Sequence, residues 1–136
     1  MNTKYSKKIL GQVDELPNVN YLPQQSDMSA VFGQTRILLV PSRWEEGFGG
    51  VAMEAASCGI PVVASRCGGL PEAVGDGGIL IADYMNTEEW ITAIEGLCSD
   101  EAFYNQLSKA ASLYVQQEEF SADVNAARFL KLCELD

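Results

Sequence analysis

Residues 46–65, EGFGGVAMEAASCGIPVVAS, combine two carboxylates with a glycine-rich turn. Glu46 and Glu54 bracket the turn, and a short apolar run follows it. Glycines in front of a helix let an anion approach backbone N–H groups, where the helix dipole is positive. Carboxylates repel phosphate, but they accept strong hydrogen bonds from hydroxyl groups. The combination therefore predicts a ligand that carries both phosphates and hydroxyls.

The spacing of the two glutamates supports this interpretation. If a helix begins near Gly49, Glu54 lies roughly 7–8 Å further along its axis, while Glu46 lies in the turn before it. One carboxylate can then lie on either side of a bound diphosphate. A nucleotide sugar has a ribose on one side of its diphosphate and a second sugar on the other. We therefore expect the acids to flank the phosphates without touching them.

The turn matches neither of the two common phosphate-binding motifs. A dinucleotide fingerprint, G-x-G-x-x-G, that begins at Gly47 would need a glycine where Ala52 stands. A P-loop needs G-K-[ST], which does not occur in the sequence. A dinucleotide-dependent enzyme and an NTPase are both disfavoured.

The elements that must position the turn follow from three apolar runs and the helical patterns between them. RILLVPS (36–42), IPVVAS (60–65) and GGILIA (77–82) predict strands that are buried on both faces. Strands that alternate with helices predict an α/β fold, a partial Rossmann-like parallel sheet flanked by helices. Ligands of such sheets lie at the carboxyl ends of the strands, which is where the glycine-rich turn begins.

Further elements are predicted on either side of these strands. VNYL (19–22) predicts a short additional strand, and Ser26 is expected to cap the helix after it. Asp100 and Ser121 are expected to cap two helices near the end of the chain. The last helix is expected to turn its apolar residues inward, namely Val124, Ala127, Leu130 and Cys133.

Composition excludes several classes of protein. The net charge of −10, from 19 acidic and 9 basic residues, argues against nucleic acid as a partner. No apolar run is long enough for a transmembrane segment, and we expect a cytoplasmic protein. The four cysteines form no C-x-x-C pair and histidine is absent, so no metal site is expected. The cysteines are interpreted as small, reduced core residues.

At PSRWEEGFGGVAMEAASCGIPVVAS the chain resembles the retaining glycosyltransferases of group 1, also called family 4. CGGLPEAVGDGGILI extends the resemblance, which runs from about Asn18 to about Leu97. These enzymes have the GT-B architecture of two Rossmann-like domains. Their motif is a glutamate, seven residues and a second glutamate, here Glu46 and Glu54.

The resemblance implies a role for each residue of the turn. The first glutamate of the family binds hydroxyls of the transferred sugar, which makes Glu46 the catalytic candidate. The second, here Glu54, binds the ribose, and Gly68 and Gly69 resemble a loop beside the donor. The backbone amides between the glutamates bind the diphosphate, and these belong to Gly47, Phe48, Gly49, Gly50 and Val51. Trp44 and Phe48 are interpreted equally well as packing residues or as sugar platforms, and Glu45 as a solvated neighbour.

The resemblance also implies an incomplete enzyme. The whole chain, 1–136, corresponds to a single, incomplete C-terminal domain that binds a nucleotide-sugar donor. The N-terminal acceptor domain, either upstream or as a split subunit, is the expected partner, and no cofactor or metal is expected. From Glu45 onward, 16 acids face four bases, so a diphosphate depends on Arg43 and Arg66 for cations.

Two functions stay open at this point. One is the donor half of a glycosyltransferase that is inactive alone. The alternative is a non-catalytic module or remnant that keeps the fold and weak binding of nucleotide sugars. Because the strand ILLV would lack a neighbour on one side, a homo-oligomer is also expected.

Overall fold

The structure, a computed structural model, describes residues 4–133. Short helices alternate with three short strands in the first half of the chain, and three longer helices follow. The helices are α1 (Lys4–Asp14), α2 (Ser29–Phe32), α3 (Gly50–Ser57), α4 (Leu70–Val74), α5 (Thr87–Ser99), α6 (Glu101–Tyr114) and α7 (Ala122–Cys133). The strands are β1 (Leu38–Val40), β2 (Val62–Ser65) and β3 (Gly78–Ile81). Among the described residues, no helix has both the length and the apolar character that a membrane span requires.

The strands form one parallel sheet in the order β1-β2-β3. Leu38 is in register with Val62, and Val62 with Gly78. All four residues of β2 are buried. Because successive side chains of a strand point to opposite faces, both faces of the sheet are covered along β2. Leu39 of β1 is 43% exposed, so the prediction that this strand is buried on both faces is wrong. The predicted α/β fold class, a parallel sheet of three apolar strands flanked by helices, is confirmed.

One face of the sheet carries an apolar core. Val63 and Ile81 pack against Ala93 and Leu97 of α5 and Leu107 of α6. α3 and α4 also contact the sheet, and they supply small buried side chains such as Ala52, Ala55 and Ala73. α4 is linked to β3 by a short 3₁₀ turn at Gly75–Gly77. The sheet and the helices packed on it hold the loops at the carboxyl ends of the strands.

The described chain forms two compact units, one up to Ala30 and one from Val31 onward. The first contains α1, and the second contains the whole sheet. Asp100 caps α6 through the N–H of Phe103 at 2.9 Å, as predicted. Ser121 precedes α7, and its hydroxyl accepts a long, 3.5 Å hydrogen bond from the N–H of Val124.

Predictions about three segments of the chain are also wrong. Residues 19–22 form no strand, and Tyr21 and Leu22 are 60% and 57% exposed. An extended segment needs a neighbouring strand for its backbone groups, and no described residue supplies one here. The residue before α2 that accepts a hydrogen bond from its first turn is Asp27, from the N–H of Ser29, and not Ser26. That bond lowers the pKa of the Asp27 carboxyl below its ordinary value.

The last helix is the third error. Val124 of α7 is half-buried, but Ala127 is exposed and Leu130 is 61% exposed. The side chain of Cys133 lies outside the described residues. A helical apolar stripe predicts a buried face, but only tertiary structure decides whether a neighbour covers it.

Candidate functional site

The site is built from the two loops that leave the carboxyl ends of β1 and β2. Residues 41–49 connect β1 to α3, and residues 66–69 connect β2 to α4. Because β1 and β2 are parallel neighbours, the two loops leave the same edge of the sheet. The N–H of Gly69 donates to the carbonyl oxygen of Glu46 at 2.8 Å, which ties one loop to the other.

The contact between the loops is tight enough to exclude a side chain at two positions. A Cβ on Gly68 would lie 2.5 Å from the backbone N and O of Glu46, and Gly68 has φ +52°. A Cβ on Gly69 would lie 2.6 Å from the carbonyl oxygen of Gly47. The predicted site residues Gly68 and Gly69 are thus brought against Glu46 and Gly47. Their small size is what allows the two loops to meet.

Four backbone donors at the N-terminus of α3 have no partner in the part of the chain that the structure describes. Gly49, with φ +79°, precedes the helix, and its carbonyl accepts the N–H of Ala52 at 2.9 Å. Within the described chain, the N–H groups of Phe48–Val51 donate no hydrogen bond. A Cβ on Gly47 or Gly50 would meet nothing within 4 Å. Open space therefore borders a turn whose amides and dipole attract an anion.

Glu46 is held by a residue that the sequence analysis missed. The hydroxyl of Ser42 donates to Oε1 of Glu46 at 2.5 Å, and both side chains are half-buried. A carboxylate has two oxygens, so Oε2 is left for another donor. The signal available in the sequence was the place of Ser42, just beyond the end of a buried strand and four residues before the glutamate.

Cys67 also takes part in the loop contact. Its Sγ lies 3.4 Å from the carbonyl oxygen of Ser42 and 3.5 Å from that of Trp44, with the thiol as the donor. Cys67 is half-buried, and Cys58 and Cys98 are exposed free thiols. The interpretation of the cysteines as core residues is wrong for these three, because they lie in or beside loops and on helix surfaces.

Glu54 is exposed on α3, and its carboxylate accepts no hydrogen bond from a described residue. The side chains of Arg43 and Arg66, the two cationic candidates, are also exposed. All three side chains are therefore open to solvent.

Aromatic side chains lie at the rim of the turn. Trp44 is 84% exposed and Phe48 is 51% exposed, which rules out a core-packing role for Trp44. Phe48 also borders a cavity of about 440 Å³ between α3, α4 and the segment that joins α6 to α7. Phe48 is the only predicted site residue in its lining, which otherwise contains Met53, Glu72, Tyr114, Glu119, Phe120 and Asn125. This cavity therefore lies beside the turn, and the other predicted site residues do not line it.

No group of three or more Cys, Asp or Glu side chains within residues 4–133 is arranged to hold a metal ion. The arrangement that the described residues do form has free amides, a positioned carboxylate and a solvent-exposed carboxylate on the same short segment. It is suited to a ligand with an anionic centre and hydroxyl groups on both sides.

The fold and the site together define a class of protein: α/β proteins with an anion-attracting turn at the carboxyl end of the first strand. Residues 2–113 match the family described as glycosyl transferases group 1. The chain therefore belongs to the group 1 glycosyltransferases.

Two curated relatives illustrate the similarity in sequence. D-inositol 3-phosphate glycosyltransferase of Mycobacterium marinum is 44% identical over 88 residues, which cover 62% of this chain and 18% of that protein. The enzyme of the same name from Rhodococcus opacus is 38% identical over 117 residues, which cover 83% of this chain and 25% of that protein. The chain thus spans a quarter or less of the length of these relatives.

Two solved structures illustrate the similarity in fold. HepE of Anabaena, in complex with UDP-glucose, is 26% identical with a TM-score of 0.81, and the match covers 96% of this chain and 37% of HepE. Sucrose-phosphate synthase of Thermosynechococcus elongatus is 29% identical with a TM-score of 0.79, over 96% of this chain and 34% of the synthase. Nearly the whole chain therefore matches, in fold, about a third of each of these longer proteins.

Proposed function

We propose that this chain is the donor-binding part of a glycosyltransferase that moves a sugar from a nucleotide diphosphate sugar to an acceptor with retention of configuration. One observation carries the proposal: the N–H groups of Phe48–Val51, which donate to no described residue, lie just beyond the positioned carboxylate of Glu46. The names of the relatives, and the UDP-glucose bound to HepE, agree with this ligand class.

Each part of the site has a role in that reaction. The amides of Gly47–Val51 bind the diphosphate and stabilise the negative charge that grows on it as the bond to the sugar breaks. Glu46 accepts hydrogen bonds from hydroxyls of the transferred sugar and orients its reacting carbon. Glu54 accepts hydrogen bonds from the ribose. Gly68 and Gly69 hold the loop that borders the donor.

Two further parts of the proposal concern the charge of the leaving diphosphate and the binding of the acceptor. Helix amides together with Arg43 and Arg66 offset the charge of the leaving diphosphate, and the reaction is proposed to need no metal or cofactor. The acceptor is bound by another domain or a split subunit, and this chain alone is expected to transfer no sugar. The cytoplasmic location stays a prediction.

A titration calorimetry experiment on the 136-residue chain tests the donor assignment. We expect UDP-glucose and UDP both to bind. For each ligand, the affinity measured with a divalent cation should equal the affinity measured in EDTA. Glucose and uridine, which lack the diphosphate, serve as controls and are expected not to bind. Binding that requires the divalent ion would contradict the metal-free part, and binding of uridine as tight as that of UDP would contradict the role of the amides.

A chimeric enzyme separates the catalytic hypothesis from the non-catalytic alternative. The matched 117 residues of the Rhodococcus opacus relative are replaced by the corresponding residues of this chain, and glycosyl transfer is assayed. An active chimera whose product keeps the anomeric configuration of the donor supports the proposal. A chimera that binds UDP-glucose and transfers nothing, while the unaltered relative is active, favours a non-catalytic module.

A further inference from the structure

The hydrogen bond from Ser42 to Glu46 is the side-chain interaction that fixes a carboxylate of the site. The Ser42 hydroxyl donates to Oε1 of Glu46 at 2.5 Å, and both residues are half-buried in the loop after β1. Hydrogen bonds to an ionised acceptor are shorter and stronger than those between neutral groups. The bond thus restricts a side chain that otherwise has three rotatable torsions.

The backbone at both ends of this segment is fixed from the neighbouring loop. At one end, the thiol of Cys67 donates to the carbonyl oxygen of Ser42. At the other, the N–H of Gly69 donates to the carbonyl oxygen of Glu46. With the main chain held at residues 42 and 46, the rotation of the Glu46 side chain is the freedom that is left. The Ser42 hydroxyl removes that freedom.

We propose that Ser42 is a positioning residue that pre-orders the Glu46 carboxylate, so that Oε1 is occupied and Oε2 is presented to a hydroxyl of the transferred sugar. The inference rests on the proposed function, because it assigns the sugar as the group that Glu46 meets. Ordering the carboxylate before the ligand arrives removes an entropic cost that would otherwise oppose binding. Ser42 itself acts through Glu46 and need not touch the ligand.

A purely structural role makes a different prediction. If the bond only stabilised the loop, its removal would weaken every ligand alike, since the same loop carries the diphosphate amides. If it positions Glu46, its removal weakens a ligand that has the sugar and spares one that lacks it. UDP-glucose and UDP are the two probes that differ in this way.

The variants are Ser42→Ala, which removes the hydroxyl, and Ser42→Thr, which keeps it. Ser57→Ala is the matched control, because the Ser57 hydroxyl bonds the backbone carbonyl of Glu54 at 2.7 Å and not a carboxylate. We expect Ser42→Ala to weaken the binding of UDP-glucose by about five- to tenfold and to change the affinity for UDP by no more than about twofold. Ser42→Thr is expected to restore most of the loss, and Ser57→Ala to change neither affinity. Equal weakening of both probes by Ser42→Ala overturns the proposal.

A second readout does not depend on any ligand. Three-bond NMR couplings report whether the torsions of Glu46 occupy one rotamer or average over several. We expect one rotamer in the wild-type chain and averaging in Ser42→Ala. The same degree of order in both proteins overturns the positioning role, even if neither probe binds. Failure of the wild-type chain to bind either probe, with the couplings as expected, overturns the proposed function and leaves the ordering of Glu46 established.

If Ser42→Ala does not fold, Ser42→Cys carries both measurements. Its thiol is close to the hydroxyl in size but is a weak donor. It is therefore expected to show the same selective loss of UDP-glucose and the same averaging of Glu46, while a wild-type pattern in both measurements overturns the proposal.

Discussion

The N–H of Gly69 and the carbonyl oxygen of Glu46 lie 2.8 Å apart, and this hydrogen bond joins the loops that follow two neighbouring strands. A Cβ on Gly68, one residue earlier, would overlap the backbone of Glu46. The carboxylate predicted to meet the sugar and the Gly-Gly turn are thus one structural unit. The shape of the site depends on residues more than 20 positions apart in the sequence.

The first prediction concerns the two kinds of glycine at this site. Gly68→Ala places a Cβ 2.5 Å from the backbone of Glu46 at a position with φ +52°, so it is expected to destabilise the fold by about 1–3 kcal/mol. It should also weaken the binding of UDP-glucose, because the added Cβ displaces the loop that carries Glu46. Urea unfolding and calorimetry measure the two effects.

Gly50→Ala is the contrasting variant. A Cβ there meets nothing within 4 Å, and alanine favours a helix over glycine by about 1 kcal/mol. We expect unchanged or higher stability together with weaker binding of UDP, because the methyl group occupies the space beside the free amides. Loss of stability without loss of binding would contradict the assignment of this open space to a diphosphate.

The second prediction separates the two glutamates. Glu54→Gln is expected to weaken UDP and UDP-glucose alike, by about three- to tenfold, because both ligands carry the ribose. Glu46→Gln is expected to weaken UDP-glucose alone and, in the active chimera, to lower kcat more than it raises KM. Glu45→Gln, a change in the exposed neighbour, is the control and should alter neither. Equal effects of Glu46→Gln and Glu54→Gln on UDP affinity, with turnover unchanged, would show that the roles are misassigned.

The third prediction is a pH dependence at Tyr114. Its hydroxyl donates to the carbonyl oxygen of Glu72 at 2.7 Å, and burial, with the charges of Glu119, Asp76 and Glu72, raises the pKa of this phenol. The native state therefore keeps the proton to higher pH than the unfolded chain does. The resulting stabilisation is complete below the ordinary tyrosine pKa of about 10 and is lost as pH rises through the higher native value.

Tyr114→Phe tests this dependence. At pH 8 the variant is expected to be less stable than the wild-type chain by about 0.5–1.5 kcal/mol, since it lacks the hydrogen bond. Above about pH 10 the free energies of unfolding of the two proteins should converge, and Glu119→Gln should show a shallower decline than the wild-type chain. Urea unfolding across this range provides the measurement, and a constant difference between wild type and Tyr114→Phe would refute the shift.

The fourth prediction concerns the free edge of β1. Within the described residues β1 pairs only with β2, and the N–H of Leu38 donates to Pro61 on that side. In a parallel ladder, alternate residues bond alternate sides, so the N–H of Leu39 faces the free edge. Such an edge can pair with another chain, and we expect self-association at micromolar concentration.

Leu39→Pro removes the donor at that edge, and Leu39→Ala keeps it. Light scattering should show a smaller species for the proline variant than for the alanine variant, with circular dichroism confirming that both are folded. A wild-type chain that stays monomeric across the concentration range would mean that the edge of β1 is not used.

Much of the fold was readable from local pattern. Continuous apolar runs predicted β1, β2 and β3, because a parallel strand that is buried on both faces has no polar alternation. Asp100, before α6, marked the start of a helix through its side-chain chemistry. The glycine-rich turn between Glu46 and Glu54 located the candidate site in the same way.

Tertiary structure decided what depends on a partner distant in the sequence. VNYL has the composition of a strand, but no described strand pairs with it. Leu130 has a helical apolar spacing, but among the described residues none covers it and it is 61% exposed. The sequence analysis assigned no role to Ser42 or Cys67, yet they fix the carboxylate and the loop because β1 and β2 bring their loops together. The sequence by itself determined the strands, the turn and the two carboxylates, since these follow from residue type and spacing. Which hydrogen bond orders Glu46 was decided only by the fold, since a hydrogen bond depends on distances of a few tenths of an ångström that spacing along a chain does not set.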